Sequence, residues 1–210
     1  ALFILIAILA WNYQLKKEIV KRKKVEQDLT YRLEFETLLL EMSSLFISLK
    51  TEQISNELNI ALKHIAEFIA ADSGFVFRLS DDGSCISNTH GWFSGTTKTS
   101  LHAFQEMDVT QMHFLTDLLK KGEVLSVPAV DNLPPAAANE KHFLLSLGIK
   151  AIVSIPMKMG GSTIGFLGIA STQARRVWSD DEIALLEAVG QIFCNALQRK
   201  KTEEVLQQTH

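Results

Sequence analysis

The chain has 210 residues, of which 47% are hydrophobic, enough for one domain of about 150 residues with extensions at its ends. Its net charge is −3, but residues 1–24 carry six of the 21 basic and one of the 24 acidic side chains, which leaves 15 basic against 23 acidic, or −8, for the remainder. An acidic body argues against nucleic acid as a partner. The two cysteines, Cys85 and Cys194, form no pairing pattern, and free thiols are typical of a reducing cytoplasm.

The chain opens on an apolar run, Ala1 to Trp11, which is followed by six lysine or arginine side chains between residues 16 and 24. A membrane-spanning helix needs about 20 apolar residues, so the run alone is too short, and a signal peptide carries its positive charges before its apolar stretch. Here the apolar run is followed by Trp11 and Tyr13 and then by the cations. This is the order found at the cytoplasmic end of a membrane helix. The sequence therefore predicts that residues 1–13 end a transmembrane helix, with the remainder in the cytoplasm. The alternative is a buried core helix cut at an arbitrary point.

Residues 14–37 have the pattern of a long helix with a seam that repeats every seven residues. Polar side chains interrupt the seam, which is typical of a coiled coil that is tuned for register rather than for strength. The prediction is a signalling helix that pairs as a coiled coil, and a single solvated helix is the alternative. The apolar seam positions are Leu15, Ile19, Leu29, Leu33 and Leu40, and the polar ones are Arg22, Glu26 and Glu36.

From residue 38 onward, helical and strand patterns follow one another. The apolar stretch 38–49 predicts that the long helix docks onto a domain, and a second helix follows Thr51. A long helix closes the domain, and Ser179 with Glu182 three residues later predicts its start as a capping box. The order of elements predicts an α+β fold in which helices pack on a mixed sheet of at least five strands. The elements in between are strands at 75–79 and 85–92, an irregular stretch at 93–109 beside a pocket, helices at 110–121 and 136–148, and strands at 123–130, 150–159 and 163–171.

The residue patterns of catalytic and metal sites are missing from the sequence. Gly160 and Gly161 lie between two alternating runs and predict a hairpin, because the lysine of a phosphate-binding loop is absent and a strand follows. The six histidines have no carboxylate or cysteine at metal-ligand spacing. Nucleophile-elbow, kinase and zinc-protease signatures are absent as well. The sequence therefore predicts that this stretch of chain is not an enzyme, and it assigns no catalytic or metal-ligating residue.

Residues 38–200 resemble a GAF domain. The resemblance is carried by GIKAIVSIPMKMGGSTIGFLGIAS, by RVWSDDEIALLEAVGQIFCNALQRKKTEE and by LLKKGEVLSVPAVDNLPP. It implies a GAF-like α+β fold, with a mixed but mainly antiparallel sheet of five to six strands and long N- and C-terminal helices. The version that ends in NALQRKKTEE is similar to the GAF modules of bacterial membrane-anchored sensors.

That resemblance implies a place in signal transduction. The GAF domain would be cytoplasmic at the inner membrane, would form a homodimer through its flanking helices, and would relay a signal in a two-component or related system. Residues 201–210 would begin a linker helix to an output domain, a histidine kinase or a diguanylate cyclase, whose own signatures lie outside this sequence.

GAF folds use the sheet face opposite the terminal helices to hold a small molecule. The Asn-Lys-Phe-Asp-Glu set of cyclic-nucleotide-binding members is not found here, Cys85 lacks the context of a bilin-attachment cysteine, and two isolated cysteines are too few for the methionine-sulfoxide-reducing members. The cofactor is therefore unassigned. A domain dedicated to binding a cyclic nucleotide or a tetrapyrrole, and a thiol-based methionine sulfoxide reductase, are the alternatives to a relay module. The predicted pocket lining, whose aromatic members would otherwise simply fill the core, is Phe75, Phe77, His90, Trp92, Phe104, Ser154 and Phe166.

Overall fold

A computed structural model describes residues 2–94 and 104–208 of the chain. The chain divides into two units, Ala1–Glu41 and Met42–His210. Helix α1 covers Leu2–Ser48, which confirms the long N-terminal helix of the predicted fold. Within the described residues no helix has an apolar stretch of the length and hydropathy needed to cross a membrane.

The described strands of the second unit form one six-stranded sheet. They are β1 Ser73–Leu79, β2 Cys85–Phe93, β3 Met107–Asp108, β4 Leu125–Val127, β5 Ala151–Met159 and β6 Ser162–Ser171. Their order is β3-β2-β1-β6-β5-β4, and each neighbouring pair is antiparallel. The predicted sheet of five to six mainly antiparallel strands is confirmed. Strand β4 is shorter than predicted, and β3 lies in the stretch predicted to be irregular.

Helices cover both faces of this sheet. They are α2 Ile54–Phe68, α3 His113–Lys120, α4 Ala138–Ser146 and α5 Asp180–Gln208. Successive strand residues point to opposite faces. Val76 and Ile155 therefore lie on the face covered by α2 and α5, whereas Phe75 and Ser154 lie on the face covered by α3.

The last turns of α1, from Met42 onward, belong to the second unit and pack within it, as the apolar stretch 38–49 predicted. Met42 and Phe46 are buried, and the ring of Phe46 lies 5.5 Å from the ring of Phe193 on α5. Burial of two large apolar side chains contributes several kcal/mol, at about 1.5–3 kcal/mol each. The end of α1 is therefore part of the core of the second unit.

The start of α5 is held by the predicted capping box. The Ser179 backbone N–H donates to Glu182 Oε2 at 2.8 Å, and the Glu182 N–H donates to Ser179 Oγ at 3.2 Å. The Arg176 guanidinium pairs with the same Glu182 carboxylate and lies 4.4 Å over the Trp178 ring. These contacts satisfy the first donors of the helix and anchor the connection from β6 to α5.

Asp72 joins the start of β1 to the end of β6, and its removal should destabilise the domain. Its carboxylate accepts hydrogen bonds from the backbone N–H groups of Thr172 at 2.8 Å and Gln173 at 3.2 Å, and from the Ser171 hydroxyl at 3.1 Å. Burial alone would raise the pKa of Asp72, but these hydrogen bonds outweigh it and hold the pKa below its usual value. The stabilisation is therefore present above the unfolded-state pKa and is lost as pH falls through the folded-state pKa.

We expect Asp72→Asn to lower the free energy of unfolding at pH 7 by about 1–2 kcal/mol, since a carboxylate that accepts several hydrogen bonds is replaced by an amide that accepts fewer. Urea unfolding at pH 7 and at pH 3.5 measures the difference, which should shrink at the lower pH. Glu123→Gln, a change at an exposed carboxylate, is the control. An equal loss at both pH values would contradict the charge-assisted role.

Candidate functional site

A cavity of about 80 Å³ lies between the sheet and the helices α3 and α4. Its walls are almost entirely apolar, and six of the lining residues are phenylalanines. The rings form a connected series: the centroids of Phe75 and Phe77 are 5.6 Å apart, those of Phe77 and Phe104 6.4 Å, and those of Phe104 and Phe143 5.4 Å. The lining is Phe75, Phe77, Ile86, Asn88, Phe93, Phe104, Met112, Leu115, Thr116, Leu119, Leu125, Phe143, Leu144, Leu147, Ile149, Ile152, Ser154 and Phe166.

The glycines of the IGFLG stretch allow this wall to form. Gly168 on β6 pairs with Phe75 on β1, and the Phe75 ring lies across the glycine where a Cβ atom would overlap it. A Cβ atom at Gly165 would overlap the backbone carbonyl oxygen of Phe77. Aromatic rings on neighbouring strands commonly cover a glycine in this way. The absence of a side chain therefore leaves room for the Phe75 ring over Gly168 and for the Phe77 carbonyl oxygen beside Gly165.

Five of the seven predicted pocket residues line this one cavity: Phe75, Phe77, Phe104, Ser154 and Phe166. Part of the stretch predicted to flank the pocket, residues 95–103, lies outside the described residues.

His90 and Trp92 lie on the other face of the sheet, and their assignment to the pocket is corrected. Val76 on β1 pairs with His90 whereas Phe77 pairs with Asn88, so Thr89 is an extra residue, a β-bulge. The bulge reverses the alternation of β2 after Asn88. His90 therefore shares the face of Val76, and Trp92, which pairs with Gly74, follows it.

His90 is buried between the sheet and the helices, with 7% of its surface exposed. Its Nδ1 lies 2.9 Å from the Thr89 hydroxyl, and the next backbone N–H, that of Gly91, donates to Asn59 Oδ1 on α2 at 3.0 Å. Burial lowers the pKa of His90 to about 4, and the positive charge of Lys200 on α5 adds to the effect. The imidazole is therefore neutral at physiological pH and belongs to the core.

The main polar feature of the cavity is Asn88, which the sequence analysis did not single out. Its Nδ2 donates to the carbonyl oxygens of Val76 and His90, both at 3.2 Å, and so bridges the bulge. Its Oδ1 is buried and has no hydrogen-bond partner in the part of the chain that the structure describes. Thr116, by contrast, donates its hydroxyl to the Met112 carbonyl oxygen at 2.8 Å. The signal available in the sequence was an asparagine two residues after Ile86, which places both side chains on the same face of β2.

Strand and helix residues make up most of the lining that was missed. The strand residues are Ile86, Phe93, Leu125 and Ile152. The apolar faces of α3 and α4 close the cavity, and the spacing of Met112, Leu115 and Leu119 is that of one helix face. The sequence predicted both helices but could not orient them relative to the sheet.

Neither cysteine belongs to the lining formed by the described residues. Cys85 is half-buried at the start of β2. Cys194 is buried on α5 with its sulfur 3.3 Å from the Lys158 carbonyl oxygen, and burial raises the pKa of its thiol. Across the described ranges no group of three His, Cys, Asp or Glu side chains is placed to hold a metal ion. The apolar lining of the cavity is suited to contact with an apolar body.

Known proteins share both the sequence pattern and the fold. A family model described as "GAF domain" matches residues 53–197, whereas no curated protein matches the chain. The phycocyanobilin-bound GAF domain of a cyanobacterial phytochrome has a TM-score of 0.64 and 16% identity, over 80% of this chain and 96% of that one. A domain assigned to a two-component sensor histidine kinase protein of Sinorhizobium meliloti 1021 has a TM-score of 0.58 and 16% identity, over 73% of this chain and 97% of that one. The GAF domain region of a protein assigned as a membrane protein of Geobacter sulfurreducens PCA has a TM-score of 0.57 and 14% identity, over 70% and 95%.

Proposed function

Because the chain belongs to the GAF domain family, we propose that it is the sensory and signal-relay module of a membrane-bound bacterial signal-transduction protein. It receives a conformational signal through α1 and passes it through α5 to a downstream output domain, a histidine kinase or a diguanylate cyclase. The module itself is not an enzyme; it lies on the cytoplasmic side of the inner membrane and works as a homodimer. The similar folds of a sensor-kinase domain and of a membrane-protein GAF region support this proposal.

One observation carries the proposal, the junction between the end of α1 and α5. Arg199 on α5 donates from Nη1 to the Ile47 carbonyl oxygen at 3.0 Å and from Nη2 to the Leu49 carbonyl oxygen at 2.9 Å. These carbonyls belong to the last turn of α1 and the residue after it, which have no partners within the helix. Phe46 and Phe193 add an aromatic contact close by. A displacement of the end of α1 would therefore act directly on α5.

The exposed seam of α1 supports pairing with a second copy. Leu15, Ile19, Leu29 and Leu33 have exposed fractions of 49% to 58% in the single chain. Large apolar side chains at heptad spacing are normally covered by a partner helix. A parallel twofold dimer would cover them and would align the two α1 helices and the two α5 helices.

The experiment that tests the relay changes the register of α5. In the full-length protein, seven residues inserted after Lys201 should leave the seam facing its partner, whereas four residues should rotate it by about 40°. We expect the four-residue insertion to change the basal output of the downstream domain strongly and the seven-residue insertion to change it little. The measurement is autophosphorylation or cyclic-dinucleotide synthesis in isolated membranes. Equal outputs would mean that α5 is only a tether.

The cavity supports a second role, the binding of a small ligand that biases the relay. It has a volume of about 80 Å³, whereas pockets for drug-sized ligands measure about 300–1,000 Å³. This volume favours a ligand much smaller than a tetrapyrrole or a cyclic nucleotide. A methionine sulfoxide reductase is not favoured either, because neither cysteine belongs to the lining that the described residues form.

A further inference from the structure

We infer that the cavity takes a small, uncharged molecule that has an apolar body of at most one six-membered ring and one hydrogen-bond donor, which Asn88 Oδ1 accepts. The inference rests on the ligand-binding role proposed above, and it adds the chemical class of the ligand and the residue that selects it. It follows from the polarity, the charge and the size of the lining.

The orientation of the Asn88 amide is determined by its own contacts. Nδ2 donates to two carbonyl oxygens, those of Val76 and His90, so the nitrogen must point toward the bulge. The remaining atom, Oδ1, accepts hydrogen bonds only. The Gln105 Nε2 donates to the backbone oxygen of Asn88 at 2.7 Å and not to the side chain. The bridge across the bulge therefore uses the donors of the amide nitrogen, whereas the amide oxygen has no partner among the described residues.

A buried acceptor with no partner is rare, because buried polar groups are nearly always paired. Asn88 is 4% exposed, and it lines the cavity. A ligand that brings an O–H or N–H group into the cavity would supply the missing donor. A ligand with only acceptors would leave Oδ1 unpaired.

The charge of the lining and the volume of the cavity restrict the chemical class of the ligand further. The described residues that line the cavity include no charged side chain, so an ionised ligand would be desolvated without a counter-charge. Six of the lining residues are phenylalanines, whose rings favour edge contacts with another ring. Apolar cavities of about 150 Å³ hold one benzene molecule, so a cavity of about 80 Å³ accommodates one ring at most.

The test compares phenol with toluene, which has nearly the same shape but a methyl group in place of the hydroxyl. We expect the wild-type protein to bind phenol about tenfold more tightly than toluene, which corresponds to one net hydrogen bond. A wholly apolar cavity would prefer toluene, because its methyl group is less well solvated by water. Dissociation constants come from two-dimensional NMR titrations, and shifts of the Leu119 and Ile152 methyl groups place the probe in the cavity.

A variant tests whether Asn88 is the residue that accepts the hydrogen bond of the ligand. Asn88→Leu should reverse the order, so that toluene binds more tightly than phenol, while Asn139→Leu, the same change at an exposed position outside the lining, should keep the phenol preference. Because Asn88→Leu also removes the bridge across the bulge, the wild-type order of the two probes decides the inference if that variant does not fold. Toluene binding as tightly as phenol in the wild type would overturn the inference and leave a ligand-binding cavity. Failure of both rings to enter a cavity that admits xenon would overturn the inference about the class of ligand, and failure of xenon as well would overturn the ligand-binding role itself.

Discussion

Gly168→Ala is expected to lower the free energy of unfolding of the domain by about 2–3 kcal/mol, the upper part of the range for overpacked core positions. Gly168 lies in β6 between Ser154 on β5 and Phe75 on β1, and a Cβ atom there would overlap the Phe75 ring. Relief requires the ring to leave its place against the sheet. Since the space on that side is the cavity, the displaced ring should also reduce the cavity volume and weaken the binding of any probe.

Two further variants make this expectation specific. Gly190→Ala on α5 is the matched control, because its Cβ atom would come no closer than 3.8 Å to Ile155 or Met157. An alanine in a helix interior should be neutral or stabilise by up to about 1 kcal/mol. Phe75→Leu combined with Gly168→Ala should be less destabilising than the sum of the single changes, because the leucine leaves room for the methyl group. Urea unfolding followed by circular dichroism measures all of them. Strict additivity would show that the Phe75 ring is not the obstacle.

The strands without irregularities could be read from the sequence. In β1, apolar residues alternate without interruption, so Phe75 and Phe77 lie on the predicted face. The glycine pair at 160–161 marked the β5–β6 hairpin, because both glycines have positive φ angles that other residues rarely adopt. Ser179 and Glu182 marked the start of α5 because their side chains satisfy each other's backbone donors.

The remainder of the site depends on features that local sequence patterns do not predict. One extra residue, Thr89, turns His90 and Trp92 away from the cavity, and a bulge depends on pairing with β1 rather than on local composition. The two-residue strand β3 is too short for alternation to be visible. The contribution of α3 to the lining depends on how that helix crosses the sheet, which its own amphipathic pattern does not determine.

Acidification from pH 6.5 to pH 4 is expected to destabilise the domain by roughly 3 kcal/mol through His90 alone, since each pKa unit corresponds to about 1.4 kcal/mol. Burial on the helix-covered face, and then the charge of Lys200, lower the pKa of His90 from 6.5 to about 4. Between these values the unfolded chain binds a proton that the folded domain does not. The contribution of the neutral His90 to the free energy of unfolding is therefore fully present above pH 6.5 and falls as the pH decreases toward 4. Below about pH 4 the free energy of unfolding loses nothing more through this group.

His90→Gln should remove this part of the pH dependence, because a glutamine cannot take up the proton. The matched control is His113→Gln, the same change at an exposed histidine. Lys200→Met should move the lower limit of the window toward pH 6.5, because the repelling charge on α5 is removed. The measurement is urea unfolding at half-unit steps from pH 7 to pH 4, together with an NMR titration of the His90 ring. A midpoint near pH 6.5 for that ring would contradict its burial on the helix side of the bulge.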